Sequence, residues 1–388
     1  MGAAGAAGYA AVGLSFSEGA LMEKDDLVFQ ADVPRVVTEL TRTAGRHYRT
    51  KVHPAFVLLL NPPGRALRAV LGRPRLAAIV LTALAGGAAV AALRQMLLGA
   101  GLPALLASLW ALVFATSSAQ LFFGSVPESF AYSAASLILL FALHARGAPP
   151  AIVSVLAGVA AFGMVITNVV AVGLLELARP RNGWRRLAGA AATILAVTVL
   201  AAGLAALQKR LYPDSVPFYS RGSLSEEPAY VQVPAGAAAT ARARDVTAHL
   251  VLFNLAAPEL AVTKAAARFP VTTFVPLGLG SLRPAGWVHA ALWLGLIGLA
   301  GFRLARATEG RSPLLAPLGL WIAFNAALHL VYGEDLFLYT EQWTFAVVAL
   351  VALALGSLPR LPYALTAVVA AQLVANGSFL ADLASIYG

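Results

Sequence analysis

Polar side chains crowd the stretch from Val28 to Pro54, VFQADVPRVVTELTRTAGRHYRTKVHP, among them Asp32, Arg35, Glu39, His47, Arg49, Lys51 and His53. The chain as a whole is 59% hydrophobic and only 12% charged, so such a concentration marks the first place to look for chemistry. Asp32 leads the candidates. Pro34 fixes the backbone just after it, and a carboxylate held near a membrane surface can serve as general base toward an acceptor hydroxyl. Asp is also a favoured helix cap, and a helix over 33–42 would give Asp32 that plainer role. Glu128, in SVPESF at the mouth of an apolar segment, carries the same two readings. It can be a first-turn acid favoured by the helix dipole, or an ionisable group at membrane depth and hence a functional candidate. The two acids are expected to face one shared exterior cavity. A separation of about 10–15 Å would leave room for a sugar and a phosphate between groups that each need roughly 3 Å contacts.

Further candidates follow the same logic. His53, fixed by Pro54 and two residues after Lys51, could bind phosphate or metal, or simply be polar at an interface. The six histidines show no HExxH or i, i+4 pairing, so the sequence offers no dedicated metal motif. Asn168 interrupts an apolar run. Tyr332, Glu334, Asp335, Tyr339 and Glu341-Gln342 form an acidic and aromatic cluster that could hold sugar hydroxyls or a cation. Lys209, Arg210, Arg221, Arg242, Arg244, Lys264, Arg268 and Arg283 lie in a second polar interval and suit a phosphate at the membrane surface. Solvation of a loop is the simpler account of most of these charges.

The elements that must position these groups are apolar. Mean hydropathy is +0.77, and a bilayer crossing needs about 20 apolar residues in a helix. The chain reads as an all-α, polytopic transmembrane bundle of about 9–11 spans, a single domain over 1–388. Residues 17–75 form a first exterior loop with an interfacial helix, and 208–286 form a second large exterior loop. Spans are expected near 76–93, 102–118, 129–145, 187–207, 287–305, 313–331, 341–358 and 361–380, with a short apolar start over 2–16. Residues 54–71 break at Pro62 and Pro63 and lie at the interface. Residues 150–178 are apolar for longer than one crossing requires, and read as one tilted helix or as two short helices meeting at Asn168; the topology below requires the second. Abundant Ala and Gly allow close helix packing.

Net charge is +10. The arginines cluster between spans, the pattern of cytoplasmic positive charge rather than of nucleic-acid binding. That puts Arg94, Arg146, Arg179 to Arg186, Arg303 to Arg311 and Arg360 on one side. The loops 17–53, 119–128, 208–286 and 332–341 then share the other. The absence of cysteine excludes disulfides, thiolate metal sites and Cys nucleophiles. No Walker A motif, dinucleotide fingerprint or GxSxG elbow is present.

The segments FQADVPR (29–35), KVHPAFVLLLNPPG (51–64), SSAQLFFGSVPESFAYS (117–133), TN (167–168) and VYGEDLFLYTEQW (331–343), in this order, resemble the GT-C superfamily of membrane glycosyltransferases. Its protein-mannosyltransferase and aminoarabinose-transferase branch is the most similar. The resemblance covers roughly the first 180 residues well and the remainder by architecture. It implies transfer of a sugar from a polyprenyl-phosphate donor to a glycan, lipid or protein acceptor, on the exterior face of the cell's inner (plasma) membrane. By the same resemblance Asp32 would be the catalytic base and Glu128 a second active-site acid. Substrate contacts would come from Arg35, Lys51, His53, Asn168, Arg221, Glu334, Tyr339 and Glu341, with membrane lipids alongside. Asp32 is followed by Val33 where the family has an acid pair, and there is no large C-terminal soluble domain. These departures leave the acceptor and any divalent cation open. A transporter or flippase of a lipid-linked or small solute is the alternative, and a scaffold subunit is a further one.

Overall fold

The computed structural model describes residues 1–180, 182–220, 222, 225, 227–263, 270–278, 280–306 and 312–388. The chain is mostly helical. The elements up to the first long break are α1 (Gly2–Leu14), α2 (Val33–Thr41), α3 (Phe56–Leu71), α4 (Pro74–Gly99), α5 (Ala104–Ala115), α6 (Ser118–Phe123), α7 (Ser129–Ala145), α8 (Ala151–Met164), α9 (Val169–Leu177) and α10 (Gly183–Leu211). Then come α11 (Ala237–Ala248), the strands β1 (Leu260–Thr263) and β2 (Val271–Phe274), and α12 (Pro284–Arg306), α13 (Leu315–Val331), α14 (Glu341–Leu355) and α15 (Leu361–Tyr387).

Among the described residues four helices, α4, α10, α12 and α15, are long and apolar enough to cross a membrane, which supports the reading of a membrane protein. The other apolar helices, among them α1, α5, α7, α8, α13 and α14, have 10–17 residues. At 1.5 Å per residue the longest of them reaches about 26 Å, short of a hydrocarbon core of about 30 Å. So four of the expected nine to eleven spans meet that length and composition, and shorter helices pack among them.

Small residues set the closest contacts. α1 lies on α4 where a Cβ on Gly87 would meet the Gly2 carbonyl oxygen at 2.4 Å and the Ala6 Cβ at 2.8 Å. This is the small-residue packing expected of a glycine- and alanine-rich chain.

The 150–178 segment folds back on itself. α8 ends beside the first loop, where Ala55 donates its N–H to the Gly163 carbonyl at 3.1 Å. α9 then returns, so that Arg179 reaches Ser154 near the start of α8 at 2.5 Å. The turn is a single 3-10 turn at Ile166–Asn168.

Two expectations are corrected. Pro62 and Pro63 do not break the chain: α3 runs through both. The prolines face outward, and bonds to other segments hold the helix. Gln208 accepts the Leu58 N–H at 2.8 Å. The Asn61 amide donates to the Glu39 and Arg42 carbonyls at 2.7 and 2.8 Å. The interval 208–286 is also more than a loop. It holds α11, and β1 pairs antiparallel with β2 in the register Leu260↔Phe274 to Thr263↔Val271. This short sheet qualifies the all-α expectation.

The four polar intervals gather at one end of the bundle. Val28 bridges to Thr272. Gln30 donates to Glu334 at 2.6 Å, and Arg242 bonds the Tyr332 carbonyl at 3.0 Å. The Asp32 N–H reaches Glu128 at 2.9 Å. Underneath lies an aromatic core in which Phe29 meets Phe337 at 4.5 Å, Phe274 at 4.6 Å and Phe122 at 5.4 Å between ring centroids. Each ring comes from a different one of the four intervals, so burying the aromatics draws the loops together.

Candidate functional site

Asp32 stands just before α2, where a cap would, but its side chain makes no capping bond. It turns to two arginines instead: Arg35 at 2.7 Å and Arg49 at 3.1 Å. The backbone leading in is constrained. Phe29 and Gln30 both have left-handed φ angles, 51° and 57°, a conformation that costs non-glycine residues about 1–2 kcal/mol each. Phe29 is held there by the aromatic core, and Gln30 by Glu334.

Glu128 is fully buried. It caps α7 by accepting the Ser129 N–H at 2.7 Å, and it also takes the Arg49 guanidinium at 2.5 Å. Asp32 and Glu128 therefore bind the same nitrogen of Arg49. They lie far closer than a window sized for a sugar and phosphate between them. The site is one cation clamped by two acids, with Asp32 at its edge: 19% of the Asp32 side chain is exposed.

Arg49 carries the arrangement and was not among the residues assigned a role from sequence. Its signal was its place in the run Arg46-His47-Tyr48-Arg49-Thr50-Lys51, densely polar in an apolar chain. Its Nη1 donates to Ser129 Oγ at 2.6 Å. Its backbone N–H donates to buried Glu39 at 2.8 Å. Burial pushes the Glu39 carboxyl up to about 7, against the opposing pull of Arg49. Burial raises Asp25 and Asp26 as well. Arg35 completes the edge with Asp25 at 3.6 Å.

Beside this cluster a cleft of about 440 Å³ is lined by Arg46, Tyr48, Lys51, Asp214, Ser215 and Ser220, among others. Tyr48 is its floor. Lys51 Nζ donates to the Tyr48 hydroxyl at 2.8 Å, and the guanidiniums of Arg35 and Arg46 lie 4.8 and 5.6 Å from its ring centre. Of these three cations around one ring, Arg46 and Lys51 line the cleft and make this wall basic.

The remaining candidates scatter. His53 is buried against the Met164 carbonyl, and burial and then Arg49 lower it to about 3. It is neutral near pH 7 and brings no positive charge to a phosphate. Asn168 is buried in the bundle, donating to Ser133 Oγ and the Ala161 carbonyl, both at 2.9 Å. Glu334 is exposed on the third loop and tied to Gln30. Tyr339 packs on His329 at 4.5 Å. Glu341 is fully buried at the start of α14. Arg221 lies outside the described residues, as do Lys264 and Arg268.

A divalent cation does not fit the clamp. Among the described residues no three His, Asp or Glu side chains are placed to hold one, and the Arg49 guanidinium already fills the space between the two acids. Comparison with protein-family models, curated proteins and solved structures finds no match for the chain.

Proposed function

We propose that the chain is a GT-C-like membrane glycosyltransferase that moves a sugar from a polyprenyl-phosphate donor to an acceptor hydroxyl. The reading rests on one observation above others. Asp32 and Glu128, on separate polar intervals, meet on Arg49 at the end of the bundle where all four intervals converge. In this reaction the acceptor O–H gives its proton to Asp32 and its oxygen bonds to the anomeric carbon. The bond from that carbon to the donor phosphate breaks, and polyprenyl phosphate leaves with the electron pair. Such a donor needs no nucleotide site, because its phosphate is the leaving group and its tail lies in the bilayer. The basic wall beside the clamp suits the phosphate, and Arg49 and Arg35 hold the carboxylate in position. The exterior face of the inner membrane is the proposed location.

A transporter is the second reading, favoured by the doubled-back α8 and α9, since interrupted helices line many transport sites. One experiment separates the two. The purified chain, reconstituted in liposomes, is given a panel of polyprenyl-phosphate sugars with glycan, lipid and peptide acceptors. Release of polyprenyl phosphate that depends on Asp32 supports transfer. Movement of an intact lipid-linked sugar across the bilayer, with no release, replaces it by transport.

A further inference from the structure

A second polar cluster lies inside the bundle, away from the clamp. Glu341 opens α14, Gln120 lies on α6, and Asn254 follows the π-helical turn after α11. All three are buried, with relative exposures of 0%, 1% and 0%. Four of their polar atoms have no hydrogen-bond partner: both carboxyl oxygens of Glu341, Oε1 of Gln120 and Oδ1 of Asn254; the Gln120 amide nitrogen turns toward the Tyr9 hydroxyl.

These atoms belong to one neighbourhood. α6 and α14 pack together. Asn254 ties to both, donating to Thr344 Oγ1, one turn beyond Glu341, at 3.2 Å and accepting the Ala119 N–H, next to Gln120, at 3.2 Å. Tyr9 of α1 joins from the side. A Cβ on Gly86 would come within 2.9 Å of both Gln120 Nε2 and the Tyr9 ring, and the Glu341 carboxyl is near enough to act electrostatically on the Tyr9 hydroxyl. That hydroxyl already donates to the Ala115 carbonyl at 2.9 Å. Tyr9 is the titratable group that faces Glu341.

Buried polar atoms without partners are rare in folded proteins, because each loses its water and gains nothing. An unpaired, ionised carboxylate in such a place is costlier still. A protonated carboxyl changes the count: it supplies a donor where Asn254 Oδ1 and Gln120 Oε1 need one. Water, with two to four hydrogen bonds per molecule, can join the rest. We infer that Glu341, Gln120 and Asn254 enclose an internal site that holds a proton on Glu341 together with bound water. The site is separate from the Asp32–Arg49–Glu128 clamp and does not depend on the reaction assigned there.

Infrared spectroscopy of the full chain in lipid nanodiscs, with isotope-labelled glutamate, tests it. The expected result is a protonated-carboxyl band that persists above pH 7, is lost in Glu341→Gln, and shifts in Gln120→Leu. Glu341→Gln should keep the wild-type melting temperature, since it retains shape and neutrality. A wild-type spectrum with no protonated glutamate at pH 7 would overturn the inference without any variant. So would a band that survives Glu341→Gln unchanged. Sodium raising the melting temperature of wild type, but not of Glu341→Gln, would also overturn it by putting a metal cation where the proton is placed.

Discussion

Two ion-paired clusters sit at opposite ends of the bundle and share a plan: a buried glutamate, an arginine and a serine. At the loop end Glu128, Arg49 and Ser129 meet Asp32. At the other end Glu176 pairs with Arg179 at 2.7 Å, Arg179 reaches Ser154, and His144 lies 3.7 Å from Glu176. The second cluster is local and closed. Glu176 and Arg179 are three residues apart and their side chains are 2% and 7% exposed, so it pins the doubled-back α8 and α9 to α7. The first is assembled from distant segments, ends on a partly exposed acid, and has a basic cleft beside it. An ion pair inside a membrane bundle thus does not by itself mark a site. Long-range assembly and an edge open to ligand distinguish the two.

The largest effect should come from removing the shared cation. Arg49→Ala leaves Glu128 buried without a counter-charge, and breaking a buried pair costs about 3–5 kcal/mol. Thermal unfolding in detergent should show that loss together with loss of transfer. Arg179→Ala should lower stability by a similar amount while the folded fraction keeps its transfer rate. A normal melting temperature for Arg49→Ala, or inactive folded Arg179→Ala, would erase the distinction.

Glu39 sharpens the comparison through pH. Its folded carboxyl sits near 7, above the ordinary value of 4.5, so the folded state binds more protons than the unfolded one between these values. Stability should therefore fall as pH rises from 4.5 to about 7 and level off beyond. Glu39→Gln should remove that slope in a series of melting curves, and an unchanged slope would mean another group carries it. The smallest effect is expected at the closed cluster: Ser154→Ala should cost about 1 kcal/mol, the net value of a hydrogen bond, with transfer unaltered.

Much of this layout is legible in the sequence because hydrophobicity is a strong, local signal. The helices after residue 74 fall close to the apolar runs, and the run over 150–178, too long for one crossing, left a tilted helix and a reversal at Asn168 both open, of which the structure has the reversal. The expected neighbourhood of Asp32 and Glu128 across a cavity of about 10–15 Å is met only in part: both bind one nitrogen of Arg49, far closer than that. The central role of Arg49 was not legible. Nothing local tells it from Arg46 or Arg35, and only the fold that brings its loop to Asp32 and to the start of α7 buries it between two acids. Pro62 and Pro63 misled for the same reason: proline's cost in a helix is local, and the bonds that anchor α3, from Leu58 to Gln208 and from Asn61 to the Glu39 and Arg42 carbonyls, are made with other segments. The β1–β2 pairing joins neighbouring segments, Thr263 with Val271 and Leu260 with Phe274, and Phe274 carries β2 into the aromatic core.

The most direct test of the central claim is the rate of polyprenyl-phosphate release by Asp32→Asn beside wild type, at equal folded protein in liposomes. Asn keeps the shape of the side chain and removes its capacity as a base, a contribution of about 10²–10⁴-fold. The account predicts a loss of at least about 100-fold with a melting temperature near that of wild type. Release at the wild-type rate would reduce Asp32 to a partner in an ion pair and the clamp to a structural joint like the one at the other end.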